Sequence, residues 1–365
     1  MNKEIIVLHK DKIHEDPPLL SVVLILLDLG WHVRLITCGI SHGIKKMLSK
    51  RPCEVHELNK SCYGAASPLE KLWQYHNFKV EVNSILNNYP DTLLWIEGAS
   101  AIMALGNTYK HRKYVLQIHE LHENSSRQLR AIGNVISDAQ CVFMPEYSRT
   151  AIYQLWFNLS KRPTVLPNKP YFVPERKSLD NYASKYENLI APLSDRKIIL
   201  YQGYIGTDRD LSAYAKAINA LGDEYTFVLL GKDSGALSHY KELAPGLVHI
   251  DYIPAPEYLL FTSMAHIGIL GYNPISLNHL FCAPNKIFEY SAFGLPMIGN
   301  DIPGLYYPLK MYGAGIIVDE NNVEDVKNAI QTISSDYQHY SLGSKKLYDS
   351  VNNRETIDLA LKNIS

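Results

Sequence analysis

The chain has 365 residues, enough for two domains of ordinary size, and its 46% hydrophobic and 20% charged content is that of a globular protein, not a disordered one. A formal net charge of −1 excludes the global basic signal of a nucleic-acid binder. The five cysteines (Cys38, Cys53, Cys62, Cys141 and Cys282) are odd in number and scattered, with no CxxC pair or His/Cys cluster to hold a metal, so they fit buried thiols in a reducing cytoplasm. The opening MNKEIIVLHK has too short an apolar run for a signal peptide, and no run of about 18 apolar residues is present to span a membrane.

In chain order, short apolar runs at 5–8, 32–37, 54–58, 93–96, 114–118, 141–144 and 164–166 read as strands. Helical patterns at 17–29, 42–50, 69–88, 99–109, 126–137 and 146–157 separate most of them. Such alternation predicts a parallel sheet covered on both faces, with ligands beyond the carboxyl ends of its strands. Three strand ends are therefore of interest. The first is His9, followed by the charged loop HKDKIHEDPP, with no glycine before Gly30. The second is Glu97-Gly98, where the carboxylate either faces the ligand crevice or caps the following helix. The third is His119 in HELHENSSRQL, either a ligand-facing residue or a structural histidine. HELHE is not the zinc pattern HExxH, because His119 and His122 stand three apart at a strand-to-loop junction instead of four apart on a helix. The helix at 42–50 carries Lys45, Lys46 and Lys50, followed by Arg51; it presents either a solvated face or an anionic-lipid contact.

Residues 164–180 hold three prolines and no periodicity, as an interdomain linker would. A second alternating series follows, with strands at 197–202, 226–230, 248–250, 266–270, 295–298 and 315–318. Its helices are placed at 208–221, 237–243, 257–264, 285–293 and 323–334, and the tail after Asn352 reads as a further helix. Gly203 and Gly206 flank a strand-to-helix crossing, a shape in which backbone N–H groups can approach a phosphate. In FCAPNKIFEYSAFGLPMIGNDIPG, Pro284 suits a helix's first turn, Gly294 its left-handed end, and Pro296 prevents continuation. Lys286 and Glu289 share the face opposite Ile287, Phe288, Ser291 and Ala292. They form either an ordinary surface ion pair or, with the helix N-terminus, the cation, carboxylate and amides that a nucleotide diphosphate and its ribose require.

This last stretch resembles the donor-site signature PNKxFEYxAxGxPVI of family 4 glycosyltransferases, retaining enzymes of the two-domain GT-B fold. Pro284, Asn285, Lys286, Phe288, Glu289, Tyr290, Ala292, Gly294, Pro296 and Ile298 carry the match. The resemblance extends over nearly the whole chain at fold level and is motif-specific only within 197–318. It implies an α/β GT-B protein: two doubly wound parallel-sheet (Rossmann-like) domains facing a central cleft. The expected segments are an acceptor-side domain at 1–170, a nucleotide-sugar-binding domain at 171–350, and a helix at 351–365 crossing back to the first domain.

The resemblance also assigns roles. Glu289 is expected to hold the ribose. Aligned on Gly203, relatives read Gly-Arg-x4-Lys-Gly; Tyr204 stands at their arginine and Arg209 at their lysine. Arg209, with Lys286 as second cation, is expected on the diphosphate, beside backbone at Gly203, Gly206, Ala283, Pro284 and Asn285. Gly231 opens a turn in which Asp233 replaces a second glycine, and the backbone at Ile253 is expected at the base. His119 is expected beside the donor sugar. Two departures stand out: relatives carry a glycine-rich loop after the first strand, and a glutamate where this chain has Phe281. The sugar-facing role is left unassigned, with Asn273, Asn278 and Asn285 as alternative sources of polar contacts.

The reaction implied is transfer of a sugar from a nucleotide-sugar to a hydroxyl with retention, by a hexosyltransferase needing no metal and no cofactor, the departing phosphate taking the acceptor's proton. Its implied setting is surface polysaccharide or glycolipid assembly on a lipid-linked oligosaccharide acceptor, at the inner face of the plasma membrane, with no nucleic acid. Two other readings stay open: a non-catalytic GT-B partner that binds and stabilises an active glycosyltransferase, and a nucleotide-sugar 2-epimerase. UDP, GDP and ADP donors stay equally open.

Overall fold

The computed structural model describes residues 3–59, 64, 67–207, 209–362 and 364; Cys62 and Asp208 lie outside them. The chain divides into two compact units, Met1–Tyr171 with Asn352–Ser365, and Phe172–Val351.

The first unit is built on seven parallel strands: β1 (Glu4–His9), β2 (His32–Thr37), β3 (Cys53–Glu57), β4 (Leu93–Glu97), β5 (Tyr114–Gln117), β6 (Cys141–Met144) and β7 (Thr164–Val165). Their order is β3-β2-β1-β4-β5-β6-β7. Ile5, Ile6, Val7 and Leu8 are all buried, so successive side chains meet packed helices on both faces. That is why the strand reads as a continuous apolar run and not as an alternating one. The chain leaves β1 to one side for β2 and β3, then returns to place β4 on the other side. This makes the β1/β4 boundary the topological switch point, where His9 pairs in register with Glu97. The C-terminal helix Asn353–Lys362 belongs to this unit. Its Ile357 and Leu361 join the core with Leu19 and Val23, and Asn353 donates to the Pro167 carbonyl at 2.8 Å.

The second unit holds six parallel strands: β8 (Lys197–Gln202), β9 (Tyr225–Leu230), β10 (Val248–Ile250), β11 (Ile267–Leu270), β12 (Met297–Asn300) and β13 (Gly315–Val318), in the order β10-β9-β8-β11-β12-β13. Its switch point lies between β8 and β11. One face packs Tyr201, Tyr214 and Phe227, the other Phe261, Tyr290 and Leu305.

Element boundaries differ from expectation where caps consume residues. The strand expected at 295–298 is β12, two residues later. Leu295 N–H bonds the Tyr290 carbonyl at 3.0 Å and Gly294 has φ +66°, so both close the helix Asn285–Ala292 before the strand begins. The helix expected at 99–109 stops at Leu105, where Gly106 takes φ +60°. Pro284, expected inside the first turn, is the extended N-cap residue (ψ 136°). Helices Pro303–Tyr312 and Tyr337–Asp349 were not anticipated.

Candidate functional site

In the second unit the residues of interest gather beyond the carboxyl ends of β8 and β11. Gly203 follows β8 with φ +131° and donates to the Leu230 carbonyl at 2.8 Å. Lys286, in the first turn of helix Asn285–Ala292, lies directly over it. A Cβ on Gly203 would stand 2.8 Å from the Lys286 Nζ, and its φ of +131° is one that L side chains rarely adopt. The same ammonium lies 4.3 Å from the centroid of the Tyr201 ring. Arg209 meets the same tyrosine: its Nη1 is 3.4 Å from the Tyr201 hydroxyl, and its guanidinium carbon is 4.5 Å from the Tyr272 centroid. The Tyr201 hydroxyl in turn donates to the Tyr204 carbonyl at 3.0 Å. Two cations distant in sequence thus converge on one tyrosine, over a glycine turn and beside a helix N-terminus.

Glu289 is not half of a solvated surface pair. It accepts hydrogen bonds from the Gln202 amide and, at 2.7 Å, from the Tyr258 hydroxyl. The Gln202 oxygen accepts from Thr262 at 2.7 Å, which fixes which end of the amide faces Glu289. Burial pushes the Glu289 pKa up, against the opposing pull of Tyr258, the Lys286 charge and Gln202. An ionised carboxylate offers about four lone-pair sites, so two protein donors leave room for a diol.

Gly231 packs under the same turn: a Cβ there would fall 2.0 Å from the Gly203 carbonyl oxygen. The Gly206 carbonyl accepts from the Arg209 amide at 3.4 Å. Ile253 is buried in the same core cluster as Leu230, Ile250 and Phe261. Asp233 accepts from the amides of Gly235, Ala236 and Leu237, just ahead of the helix Leu237–Leu243. The Asn273 side chain is engaged by the Asp210 amide at 3.2 Å. Ala283 and Asn285 are half-buried and Pro284 is buried, all at the N-terminal end of helix Asn285–Ala292.

In the first unit a cavity of about 360 Å³ opens at the β1/β4 switch point, lined by His9, Glu97, His119, Asp16 and Gln128 among others. Glu97 does not cap the helix that follows; Gly98 occupies the N-cap, and Glu97 turns to His9, with Oε2 2.5 Å from Nδ1. Burial works against the His9 imidazolium, but the Glu97 bond and the carboxylates of Glu97, Asp16 and Asp11 leave its pKa above the ordinary value. His119 stands beside this pair, its Nε2 3.6 Å from Glu97 Oε1 and 3.3 Å from Gln117 Nε2. The Gln117 oxygen accepts from the Trp95 indole at 2.9 Å, so its NH₂ is the end that faces His119. The loop carrying His119 is anchored by buried Arg149, which bonds the His119 carbonyl, and by the Tyr153 hydroxyl on the Glu120 carbonyl at 3.0 Å.

His9, Asp16 and Glu97 place three potential metal-ligand atoms within 4.8 Å of one another. However, His9 and Glu97 already bond each other, and Asp16 accepts from the Leu19 amide at 3.0 Å; the arrangement is a hydrogen-bonded pair beside a helix cap. Of the basic group at 45–51, Arg51 bonds Asp28 and Lys45 pairs with Glu57 at 3.5 Å; Lys45, Lys46 and Lys50 are exposed. Among the described residues no helix is long and apolar enough to cross a membrane.

His9 went unassigned in the sequence, as did Gln202, Tyr201, Tyr258 and Tyr272. For His9 a signal was present, since it ends the first strand and the sheet order makes that strand's end the switch point. The tyrosines and Gln202 have no spacing signature.

No family model and no curated protein matches this sequence. Solved structures do resemble it. One is a sucrose-phosphate synthase from Thermosynechococcus elongatus, 18% identical, with TM-score 0.67 over 99% of this chain and 97% of that one. A glycosyltransferase from Rickettsia africae is 13% identical, with TM-score 0.71 over 100% and 99%. The Anabaena protein HepE, solved with UDP-glucose, is 13% identical, with TM-score 0.71 over 99% and 98%. Two parallel-sheet α/β domains and these neighbours establish the GT-B fold.

Proposed function

We propose that this protein is a glycosyltransferase that moves a sugar from a nucleotide-sugar to a hydroxyl, with the anomeric configuration retained as its donor-site signature implies. The observation that carries this is the convergence of Lys286 and Arg209 on Tyr201 above the Gly203 turn. Breaking the bond between sugar and diphosphate moves negative charge onto the phosphate. Two cations and the N-terminal amides of helix Asn285–Ala292 answer that charge without a metal ion. Glu289 holds the ribose diol, and His119 contacts the donor sugar. HepE was solved with UDP and with UDP-glucose, which makes UDP-glucose the first donor to try. The acceptor is a lipid-linked saccharide in surface polysaccharide or glycolipid assembly. The protein works at the cytoplasmic face of the membrane, with exposed Lys45, Lys46 and Lys50 available to anionic lipid.

Calorimetric titration with UDP, GDP and ADP tests the nucleotide site, and transfer from UDP-glucose to saccharide acceptors tests the chemistry. Arg209→Ala and Lys286→Ala are each expected to weaken diphosphate binding by about 1.5–3 kcal/mol, the scale of a charged hydrogen bond. EDTA is expected to leave transfer intact; loss restored by manganese or magnesium would overturn the metal-free mechanism. Tight nucleotide binding with no turnover on any acceptor would favour the non-catalytic partner instead.

A further inference from the structure

The loop after β11 carries a histidine that the diphosphate site does not use. Its first residues are held by Asn300, which is fully buried at the end of β12. The Asn300 Oδ1 accepts from the Tyr272 amide at 3.0 Å, and its Nδ2 donates to the Tyr272 carbonyl at 2.5 Å. The next residue, Asn273, joins two segments. Its side-chain oxygen accepts from the Asp210 amide at 3.2 Å, beside Arg209, and its backbone carbonyl meets His279 Nδ1 at 2.7 Å. A carbonyl can only accept, so Nδ1 carries the hydrogen and, in the neutral ring, the lone pair is on Nε2. His279 is half-buried, yet among the described residues its Nε2 has no hydrogen-bond partner and is not one of the polar atoms sealed in the interior. The loop thus fixes the ring at one nitrogen and leaves an oriented acceptor at the other.

Tyr272 shows where that acceptor stands. The Arg209 guanidinium lies over its ring, 4.5 Å from the centroid, and the His279 ring meets the same ring edge-on, with centroids 6.0 Å apart and planes at 80°. His279 is therefore one aromatic ring away from a cation proposed for the diphosphate. Its short helix, Leu277–Leu280, leads through Cys282 and Pro284 into the helix Asn285–Ala292, which carries the other cation, Lys286. A pyranose borne on that diphosphate is close in size to the tyrosine ring, so it can reach the histidine. All of these groups belong to one unit, Phe172–Val351. We propose that His279 binds the sugar of the donor, its Nε2 accepting a hydrogen bond from a sugar hydroxyl, and that the sugar facing it is neutral and hydroxylated. The proposal rests on the nucleotide-sugar reading of this site. His279 acts here as a specificity residue: it exchanges no proton with the sugar, and the contact is made before the glycosidic bond breaks. A sugar lacking the hydroxyl would leave the oriented nitrogen unpaired in a half-buried place, and one presenting a carboxylate or phosphate would set acceptor against acceptor.

Calorimetric titration with UDP, GDP and ADP, and with the glucose conjugate of each, separates the two halves of the ligand. His279→Ala is expected to weaken binding of the glucose conjugate by about five- to tenfold, the size of one neutral hydrogen bond. Affinity for the bare nucleoside diphosphate should stay as in the wild type. His279→Gln, whose side-chain oxygen can accept at a similar reach, should recover most of the loss. Conjugates of deoxyglucoses, each lacking one sugar hydroxyl, give the sharper reading. Removal of one particular hydroxyl should cost the wild type about five- to tenfold and cost His279→Ala nothing, a coupling that a purely structural histidine would not show. If His279→Ala fails to fold, His279→Phe, which keeps a ring against Tyr272, must show the same loss and the same coupling. Equal weakening of the bare nucleotide and its conjugate would make His279 a support for Tyr272 and Arg209 and overturn the proposal, as would unchanged affinity for the conjugate. Both results leave the nucleotide site standing. A wild type that binds none of the three nucleoside diphosphates would overturn that site, and the sugar contact with it.

Discussion

Glu289 is held in a setting that favours its neutral form, yet the ribose role proposed for it needs its charge. Burial raises its pKa above the unfolded value, so protonation is what the fold favours. The stability gained by protonation is complete below the ordinary value of 4.5 and is lost as pH rises through the folded pKa. Glu289→Gln should therefore melt higher than the wild type near pH 7, with the gap closing as pH falls through the folded pKa to 4.5. The new amide can keep both contacts, accepting from Gln202 and donating to a Tyr258 hydroxyl turned round. Its nucleotide affinity should nevertheless drop by about tenfold or more, because charged acceptors bind hydroxyl donors more strongly than neutral ones. Melting curves and UDP titration on one preparation decide this; a lower melting temperature with unchanged UDP affinity would make Glu289 structural. The signature motif picked out Lys286 and Glu289 as candidates, and both stand on the helix Asn285–Ala292. It could not show that Lys286 rests on Tyr201 or that Gln202 and Tyr258 hold Glu289, since those contacts join residues far apart along the chain.

The element that positions this chemistry is the helix Asn285–Ala292, and what fixes its height above the sheet is Tyr290. That ring is fully buried, and its hydroxyl reaches the carbonyls of Leu200 and Ile269. It fits because β11 carries Gly268, where a Cβ would lie 2.5 Å from the ring. Gly268→Ala must push Tyr290 and its helix outward. Overpacking of this kind costs about 1–3 kcal/mol, and the displaced helix carries Lys286 and Glu289 with it. The expected outcome is a folded protein with lower stability and UDP affinity down by about tenfold, the scale of one charged contact misplaced. Unchanged affinity would mean that the helix is not what sets the two side chains. At this scale the strands were the most legible elements, because parallel strands buried on both faces leave continuous apolar runs. The helix Pro303–Tyr312 is poorly legible although Pro303 and left-handed Gly313 mark its ends, since Pro308 in its interior imitates a break.

Across the whole molecule, the alternating strand and helix pattern pointed to two doubly wound sheets, and the strand order then made sense of residues that no motif marked. His9 and Glu97 are 88 apart in sequence, and only the crossover that sets β4 beside β1 brings them into register. The two units offer independent handles. Ile357, on the C-terminal helix, is fully buried in the first unit's core. Ile357→Ala should destabilise that unit by about 2–5 kcal/mol, the range for truncating a buried isoleucine. Every nucleotide contact proposed above lies in Phe172–Val351, so a nucleotide should stabilise that unit: at a hundredfold excess over Kd, by about 2.7 kcal/mol. Amide hydrogen exchange reads the two separately, because the slowest amides report the opening of the unit that contains them. UDP should slow exchange in β8–β13 and leave β1–β7 nearly as they were; Ile357→Ala should speed exchange in β1–β7 and leave the UDP-induced protection of β8–β13 in place. Equal protection of both sheets by bare UDP would show that the first unit also grips the nucleotide. That outcome would overturn the proposal that the nucleotide contacts lie in the second unit alone.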